Sequence, residues 1–206
     1  SNPMCKKLFL AYSRFFICLF ISLVSVTWAQ PDSVDVTFYY RSPESPSVVY
    51  LPGEFNDWLI GSSASAMTYD DVRDRWNKTI RLRIGGPYPL PNPGFSIPGA
   101  YQYKFNENGD SGGWVSDPFN PRQNPLDNNN SVLYINDPVI FHLKPNSAAG
   151  LIRTRFPEIS AYLFPSVSTA IDTASLKIIM DGTVYQNLGA YYQADIQLLA
   201  FPLTEP

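Results

Sequence analysis

The alternation of apolar and polar side chains along this sequence predicts β-strands. Apolar residues stand at every second position from Val34 to Tyr40 and from Ile80 to Ile84. A period of two places them on one face of a strand, which can then be buried while the other face meets solvent. The same reasoning predicts strands over residues 47–51, 76–84, 100–105, 132–135, 139–143, 159–164, 176–180 and 196–201. No segment has a sustained helical period with caps at both ends.

Turn-forming residues divide the predicted strands into two groups. The tripeptide 136–138, Asn-Asp-Pro, favours a turn and predicts a domain boundary at residue 137. Asp181-Gly182 after an apolar run is a hairpin signal. We therefore expect an all-β chain with two immunoglobulin-like antiparallel β-sandwiches, over residues 30–137 and 138–206. Since an immunoglobulin-type sandwich has about 100 residues, the second is expected to be truncated.

The N-terminal segment is typical of a secretory signal peptide. Lys6 and Lys7 precede an apolar stretch that is uncharged from Phe15 to Val26, too short to span a bilayer. Small residues at Thr27 and Ala29 favour cleavage after residue 29, so residues 1–29 are interpreted as the signal, with 1–3 as a possible remnant. A retained membrane anchor is the alternative. Secretion or export to a bacterial periplasm is the predicted localisation.

Composition excludes several classes of function. The 206 residues include 15 Lys+Arg and 18 Asp+Glu, a formal net charge of −3, without a basic cluster beyond the first residues. Such a chain lacks the electrostatic footprint of a nucleic-acid-binding protein, and after signal cleavage no membrane partner is expected. Both cysteines, Cys5 and Cys18, lie in the predicted signal. The mature chain therefore forms no disulfide and no thiolate metal site.

Four side chains in the first predicted sandwich have the chemistry of a sugar site. The indoles of Trp58 and Trp114 can pack on the C–H face of a pyranose, while Lys104 and Asn130 can hydrogen-bond its hydroxyls. If Tyr101, Tyr103 and Phe105 face the core, strand alternation turns Lys104 toward solvent. Each residue also has a structural interpretation: packing for the tryptophans, a solvated strand face for Lys104, and a turn for residues 128–130.

The order of the motifs resembles a known family. Gly-x-Phe-Asn-x-Trp lies at 53–58, Tyr-x-Tyr-Lys-Phe at 101–105, Trp-x-x-Asp-Pro at 114–118, and an Asn before an apolar strand at 130. Over residues 34–137 the chain is similar to the glycogen-binding, isoamylase N-terminal type of carbohydrate-binding module. By motif, the family's sugar-contacting residues correspond to Trp58, Lys104, Trp114 and Asn130, with Leu126 as the residue that would enter the ring of a helical glucan.

The resemblance implies a non-catalytic module that binds α-1,4-linked glucan, meaning starch, glycogen or maltooligosaccharides. It also implies a downstream catalytic domain in the same polypeptide, so that the full-length protein would be a secreted glycoside hydrolase of the alpha-amylase type. Residues 138–206 resemble the immunoglobulin-like spacers that follow such modules. Two alternatives stay open: a structural spacer without sugar affinity, and the same module ahead of an esterase.

Two loops depart from the family pattern. Residues 85–98 form a long Pro-rich connection that could cap or block the site. The connection 106–113 contains Gly109, Gly112 and Gly113, which would allow Trp114 several orientations.

No catalytic constellation is evident in the sequence. Retaining glycosidases need two carboxylates about 5 to 5.5 Å apart, and no acidic residue here has a context that marks such a pair. The single histidine, His142, has no partners spaced for a triad or a metal site and is expected to be structural. No cofactor and no metal are predicted.

Overall fold

Strand β1 (Ser33–Tyr40) shows how the alternating pattern becomes structure. In the computed structural model, which describes residues 32–147, 154 and 156–203, its even-numbered residues Val34 to Tyr40 are all buried. The strand pairs antiparallel along its whole length with β4 (Arg75–Arg83), placing Val36 opposite Ile80. The predicted signal peptide lies outside the described residues.

The other thirteen strands are short and irregularly spaced. In the first half they are β2 (Val49–Tyr50), β3 (Thr68–Asp70), β5 (Ala100–Tyr103), β6 (Phe105–Glu107), β7 (Trp114–Val115), β8 (Gln123–Asn124) and β9 (Asn130–Tyr134). In the second half they are β10 (Val139–Lys144), β11 (Glu158–Phe164), β12 (Ile178–Met180), β13 (Thr183–Tyr185), β14 (Tyr192–Gln193) and β15 (Leu198–Pro202).

All strand pairs in the described residues are antiparallel. The first half forms three three-stranded sheets, in the orders β1-β4-β3, β2-β6-β7 and β5-β9-β8. The second half forms a four-stranded sheet, β10-β11-β15-β14, and the hairpin β12-β13. The helical segments described are two 3-10 turns, Thr173–Ser175 and Leu188–Tyr191. The prediction of an all-β fold built from antiparallel sheets is confirmed.

Aromatic rings fill the main core, where Phe38 of β1 lies at the centre. Its ring centroid is 4.9 Å from that of Tyr103 and 5.5 Å from that of Phe141, both in edge-to-face geometry. Such pairs add about 0.5–1.5 kcal/mol each to the free energy gained by burial. Tyr101, Tyr103 and Phe105 all belong to this core, as their alternation predicts. The aromatic face of β5 and β6 therefore fixes the direction of the intervening Lys104.

The main core continues across the predicted boundary at residue 137. Phe141 of β10 and Phe164 of β11 belong to the same buried cluster as Phe38. Strand β11 has two apolar faces, because Ala161 and Leu163 point instead into a second, smaller cluster with residues of β15. The division into two domains stays a prediction, and experiments on this protein are best made with residues 138–206 present.

The hairpin predicted in the second half is confirmed, and a 3-10 turn lies just before it. Asp181 and Gly182 connect β12 to β13, and both have positive φ, 50° and 81°, as a two-residue hairpin turn requires. Asp172 caps the 3-10 turn over 173–175 by accepting a hydrogen bond from the backbone N–H of Ala174, 3.1 Å. Among the described residues, no helix has the length and apolar character needed to cross a membrane.

Candidate functional site

The motif at residues 53–58 folds into a tight loop that presents Trp58. Gly53 runs against strand β5, where a Cβ atom would lie 2.8 Å from the carbonyl oxygen of Gln102, so no larger residue fits without rearrangement. The Asn56 side chain holds the loop together, accepting from the Gly53 N–H at 2.9 Å and donating to the Leu51 carbonyl at 2.8 Å. The motif is therefore explained locally by backbone packing and side-chain hydrogen bonds.

Trp58 itself occupies an unusual backbone conformation. Its φ is 59°, in the left-handed region, and its N–H donates to the Gly53 carbonyl at 3.0 Å. A residue with a Cβ atom pays a steric penalty there. Because the loop bends in this way, the indole is left half-buried at the surface instead of entering the core.

Trp114 comes to the same place from β7. It pairs with Asn106 of β6 across the connection 107–113, where Gly113 leaves no room for a side chain, since a Cβ atom would lie 2.2 Å from the Glu107 carbonyl oxygen. Gly113 thus packs directly against the Glu107 backbone, whereas Gly112 has open space around it. The Trp58 and Trp114 ring centroids are 6.5 Å apart with the planes inclined at 52°, and Trp114 is 37% exposed.

Lys104 and Asn130 line the same pocket as the two indoles. The pocket has a volume of about 540 Å³ and is completed by Asn92, Asp127 and Asn128. Lys104 lies between β5 and β6 with its side chain partly exposed, and its ammonium donates to the Asn128 carbonyl at 2.6 Å. One hydrogen bond leaves two of the three ammonium N–H groups for a ligand or water.

Asn130 is the most buried of the residues that line the pocket. It is only 5% exposed, and its backbone N–H donates to the Asp127 carbonyl at 2.9 Å. No described residue hydrogen-bonds to its side-chain amide. An amide that lines a pocket without a protein partner is a donor and acceptor available to a bound molecule.

The long loop at residues 85–98 is anchored beside this pocket by a buried carboxylate. Glu54, 8% exposed, accepts hydrogen bonds from the Ser96 hydroxyl at 2.5 Å and from the Gln102 N–H at 2.8 Å. Ser96 in turn accepts from the backbone N–H of Asn92 at 3.0 Å. Glu54 thus connects the strand that carries Lys104 to the loop, and the loop contributes Asn92 to the pocket wall.

The loop also explains why Gln102 is buried although it lies opposite the aromatic core face. Its amide donates to the Phe95 carbonyl at 3.1 Å and its oxygen accepts from Asn124 at 2.9 Å. The loop therefore covers the sheet next to the pocket, while the exposed face of Trp114 stays open.

Leu126 is placed differently from the other four predicted residues. It is 80% exposed, and it is absent from the described residues that line the pocket. Its backbone N–H donates to the Asn124 side chain at 3.1 Å, which holds the turn that leads to Asp127. Leu126 projects from the surface one residue from the pocket wall.

Sequence reasoning did not select Asn92, Asp127 or Asn128. Asn128 belongs to an Asn run that predicts a turn, and its φ of 51° fits that reading. Asn92 lies in the segment that departs from the family pattern, so no motif could point to it. Only the hydrogen bonds from Glu54 through Ser96 reveal its position.

A second polar cluster, centred on Asp117, lies buried below β7. Its carboxylate accepts from the Tyr103 hydroxyl at 2.6 Å and lies 2.7 Å from Nε2 of His142. Burial and the neighbouring carboxylate raise the pKa of Tyr103 well above its usual range. His142 is 7% exposed and stacks on Phe141 at 3.9 Å. The cluster ties β5, the segment after β7 and β10 to one another.

No protein-family model matches the chain, and no curated protein gives a significant match to it. The family resemblance drawn from the motifs therefore stays a prediction.

The chemistry of the pocket is that of polar recognition next to an aromatic platform. Amide, ammonium and indole groups converge there, and Asp127 is the only carboxylate among its described lining residues. A retaining glycosidase would need a second carboxylate at close range. The described lining thus supplies groups for holding a hydroxyl-rich molecule and lacks the acid pair of that mechanism.

Proposed function

We propose that the chain is a non-catalytic module that binds α-1,4-linked glucan in the pocket between Trp58 and Trp114. The observation that supports this most is that Trp58, Lys104, Trp114 and Asn130, far apart in sequence, line one pocket. Residues chosen for packing alone would have no reason to converge with their polar ends facing the same space.

The geometry of the two indoles favours a curved chain of sugars. Planes inclined at 52° cannot both stack on one flat ring system, but they can contact successive pyranose rings of a bent chain. Lys104 and Asn130 then lie where the hydroxyl groups of those rings would pass. Because the pocket is open, little ligand surface is buried, and weak affinity for short oligosaccharides is expected.

We further propose that this module serves a catalytic domain of the same secreted polypeptide, as the motif resemblance implies. A bound module raises the local concentration of an attached enzyme at a polymeric substrate. The sequence resemblance is the support for this part, and a glycoside hydrolase of the alpha-amylase type is the favoured partner domain.

Calorimetric titration of the chain with maltoheptaose and β-cyclodextrin tests the binding. Replacing Trp58 or Trp114 by Ala is expected to weaken affinity by about tenfold or more, because an aromatic anchor of a binding site contributes about 2 kcal/mol or more. Tyr88→Ala, which removes an aromatic ring that is 84% exposed outside the pocket, is the matched control and should change nothing.

Two results would contradict the proposal. One is a folded wild-type chain that binds neither ligand and is not retarded in a gel containing glycogen, which would favour the spacer interpretation. The other is equal weakening in Tyr88→Ala and the two tryptophan variants, which would place binding elsewhere.

A further inference from the structure

A second pocket, on a different part of the surface, collects positive charge in a chain whose net charge is negative. It has a volume of about 210 Å³ and is lined by aromatic rings, the imidazole of His142 and several cationic side chains. The cations are Arg41, Arg73, Arg75 and Lys144. No Asp or Glu is among its described lining residues, although the chain has 18 acidic residues against 15 Lys+Arg. We call it the basic pocket.

Two of these cations already have acidic partners outside the lining. Arg41 lies 3.5 Å from Asp74, and Arg73 lies 3.1 Å from Asp70. Arg75 and Lys144, by contrast, form no ion pair with any described carboxylate. About two positive charges are therefore left without a partner at the pocket.

Arg75 is held rigidly in place by two tyrosines. Its guanidinium carbon lies 3.8 Å from the ring centroid of Tyr39, and Nη1 donates to the Tyr162 hydroxyl at 2.7 Å. Its buried Nε atom has no hydrogen-bond partner among the described residues. The carboxylate opposite Arg75 in the β3–β4 pair, that of Asp70, forms its ion pair with Arg73, so Arg75 has an acidic neighbour but no ion pair of its own.

Lys144 completes the pocket from the end of β10. Its ammonium lies 4.4 Å from the ring centroid of Phe119, and the register of β10 against β11 shifts between Phe141 and Lys144. This bulge includes His142, whose φ is 49°. Bulges redirect side chains at functional positions of a sheet, and this one places both residues at the pocket.

We propose that the basic pocket binds the oxyanion group of a small molecule, a phosphate or a carboxylate. Guanidinium and ammonium groups form charge-assisted hydrogen bonds with such groups, and aromatic walls exclude competing water. A volume of about 210 Å³ corresponds to about seven water molecules, which suits a small anionic group with few attached atoms. The proposal is independent of glucan binding, because the two pockets share no described lining residue.

His142 gives a direct readout, because it is the only histidine in the chain and lines the basic pocket. Its ring resonances can be followed by NMR while inorganic phosphate, or separately acetate, is added at constant ionic strength. Holding the pH constant throughout ensures that any shift follows the added anion and not a change in the pH of the solution. Saturable shifts with either anion are expected, and the more tightly bound anion identifies the ligand group.

Lys144→Met is the informative variant, with Lys177→Met as its control, since both lysines are exposed and only Lys144 lines the pocket. Loss of one charge-assisted hydrogen bond is expected to weaken anion binding about tenfold in Lys144→Met and to leave Lys177→Met unchanged. Arg75→Gln should abolish binding, and a thermal melt checks that it folds.

The proposal is overturned if neither anion moves the His142 resonances of the wild-type chain. It is also overturned if Lys144→Met binds as the wild type does, or if both lysine variants lose affinity equally, because the effect would then be one of net charge. If Arg75→Gln does not fold, the comparison of Lys144→Met with Lys177→Met decides the proposal by itself.

Discussion

Replacing Asp117 by Ala tests the claim that its buried cluster holds the strands together. The carboxylate side chain is fully buried and accepts from the Tyr103 hydroxyl and the Phe119 N–H, besides contacting His142. The variant leaves the Tyr103 hydroxyl and the imidazole without this acceptor in the interior. Each stranded buried group costs about 1–3 kcal/mol, so the two together cost about 2–6 kcal/mol.

We therefore expect Asp117→Ala to lower the free energy of unfolding by about 2–6 kcal/mol, a large share of the roughly 5–15 kcal/mol of an ordinary domain. Urea denaturation followed by tryptophan fluorescence measures it. Asp117→Asn keeps the shape and one acceptor oxygen, so its loss should be intermediate. Asp110→Ala, an exposed aspartate in the preceding loop, should stay within about 0.5 kcal/mol of wild type.

A loss below about 1 kcal/mol in a natively folded Asp117→Ala variant would refute the reasoning. It would mean that water or a rearranged neighbour satisfies Tyr103 and His142. Equal losses in Asp117→Ala and Asp110→Ala would refute it as well, because burial would then have no bearing on the result.

The remaining predictions concern the loop and the buried tyrosines. Asn92→Ala should weaken maltoheptaose binding in calorimetry about threefold to tenfold, because one hydrogen bond to the ligand is lost. Its melting temperature should stay that of the wild type. Gln186→Ala, which removes an exposed amide outside the pocket, should leave the affinity unchanged. Burial, then the hydrogen bond to Glu107, raises the pKa of Tyr40 far above its usual range. The folded state thus retains this proton more tightly than the unfolded chain, so the contribution is fully present below about pH 10 and is lost at higher pH. Above that pH, the urea midpoint of the wild-type chain should fall as the pH rises, and the midpoint of Tyr40→Phe should fall less steeply. Equal slopes of midpoint against pH for the two proteins would contradict this.

Much of the fold could be predicted from local patterns, because β1 buries one whole face and β4 alternates more buried with exposed residues from Lys78 to Leu82, so that the period of two is visible in the sequence. The two-residue strands β2, β7, β8 and β14 are harder to predict. Strand β2 pairs with a segment distant in the chain, Tyr50 opposite Asn106, and in all four a two-residue segment has no readable period.

The candidate site divides in the same way. Motif spacing selected Trp58, Lys104, Trp114 and Asn130, all of which line one pocket, and also Leu126, which lies beside it. Asn92 could not be selected, because its position depends on a buried carboxylate that reaches across 42 positions of sequence to Ser96. The basic pocket has no sequence signal either, since its cations come from separate strands and loops.

The left-handed backbone of Trp58 has a consequence for the evolution of the pocket. Asp57, Trp58, Asn128 and Asn129 all have φ between 51° and 59°, a conformation that glycine adopts without the steric penalty of about 1–2 kcal/mol per residue. Relief of backbone strain alone would therefore favour glycine at 57 and 58. A change of Trp58 to glycine would remove that strain, but it would also remove the indole from the pocket. If related chains keep tryptophan at position 58, the indole is retained for recognition at a cost in stability.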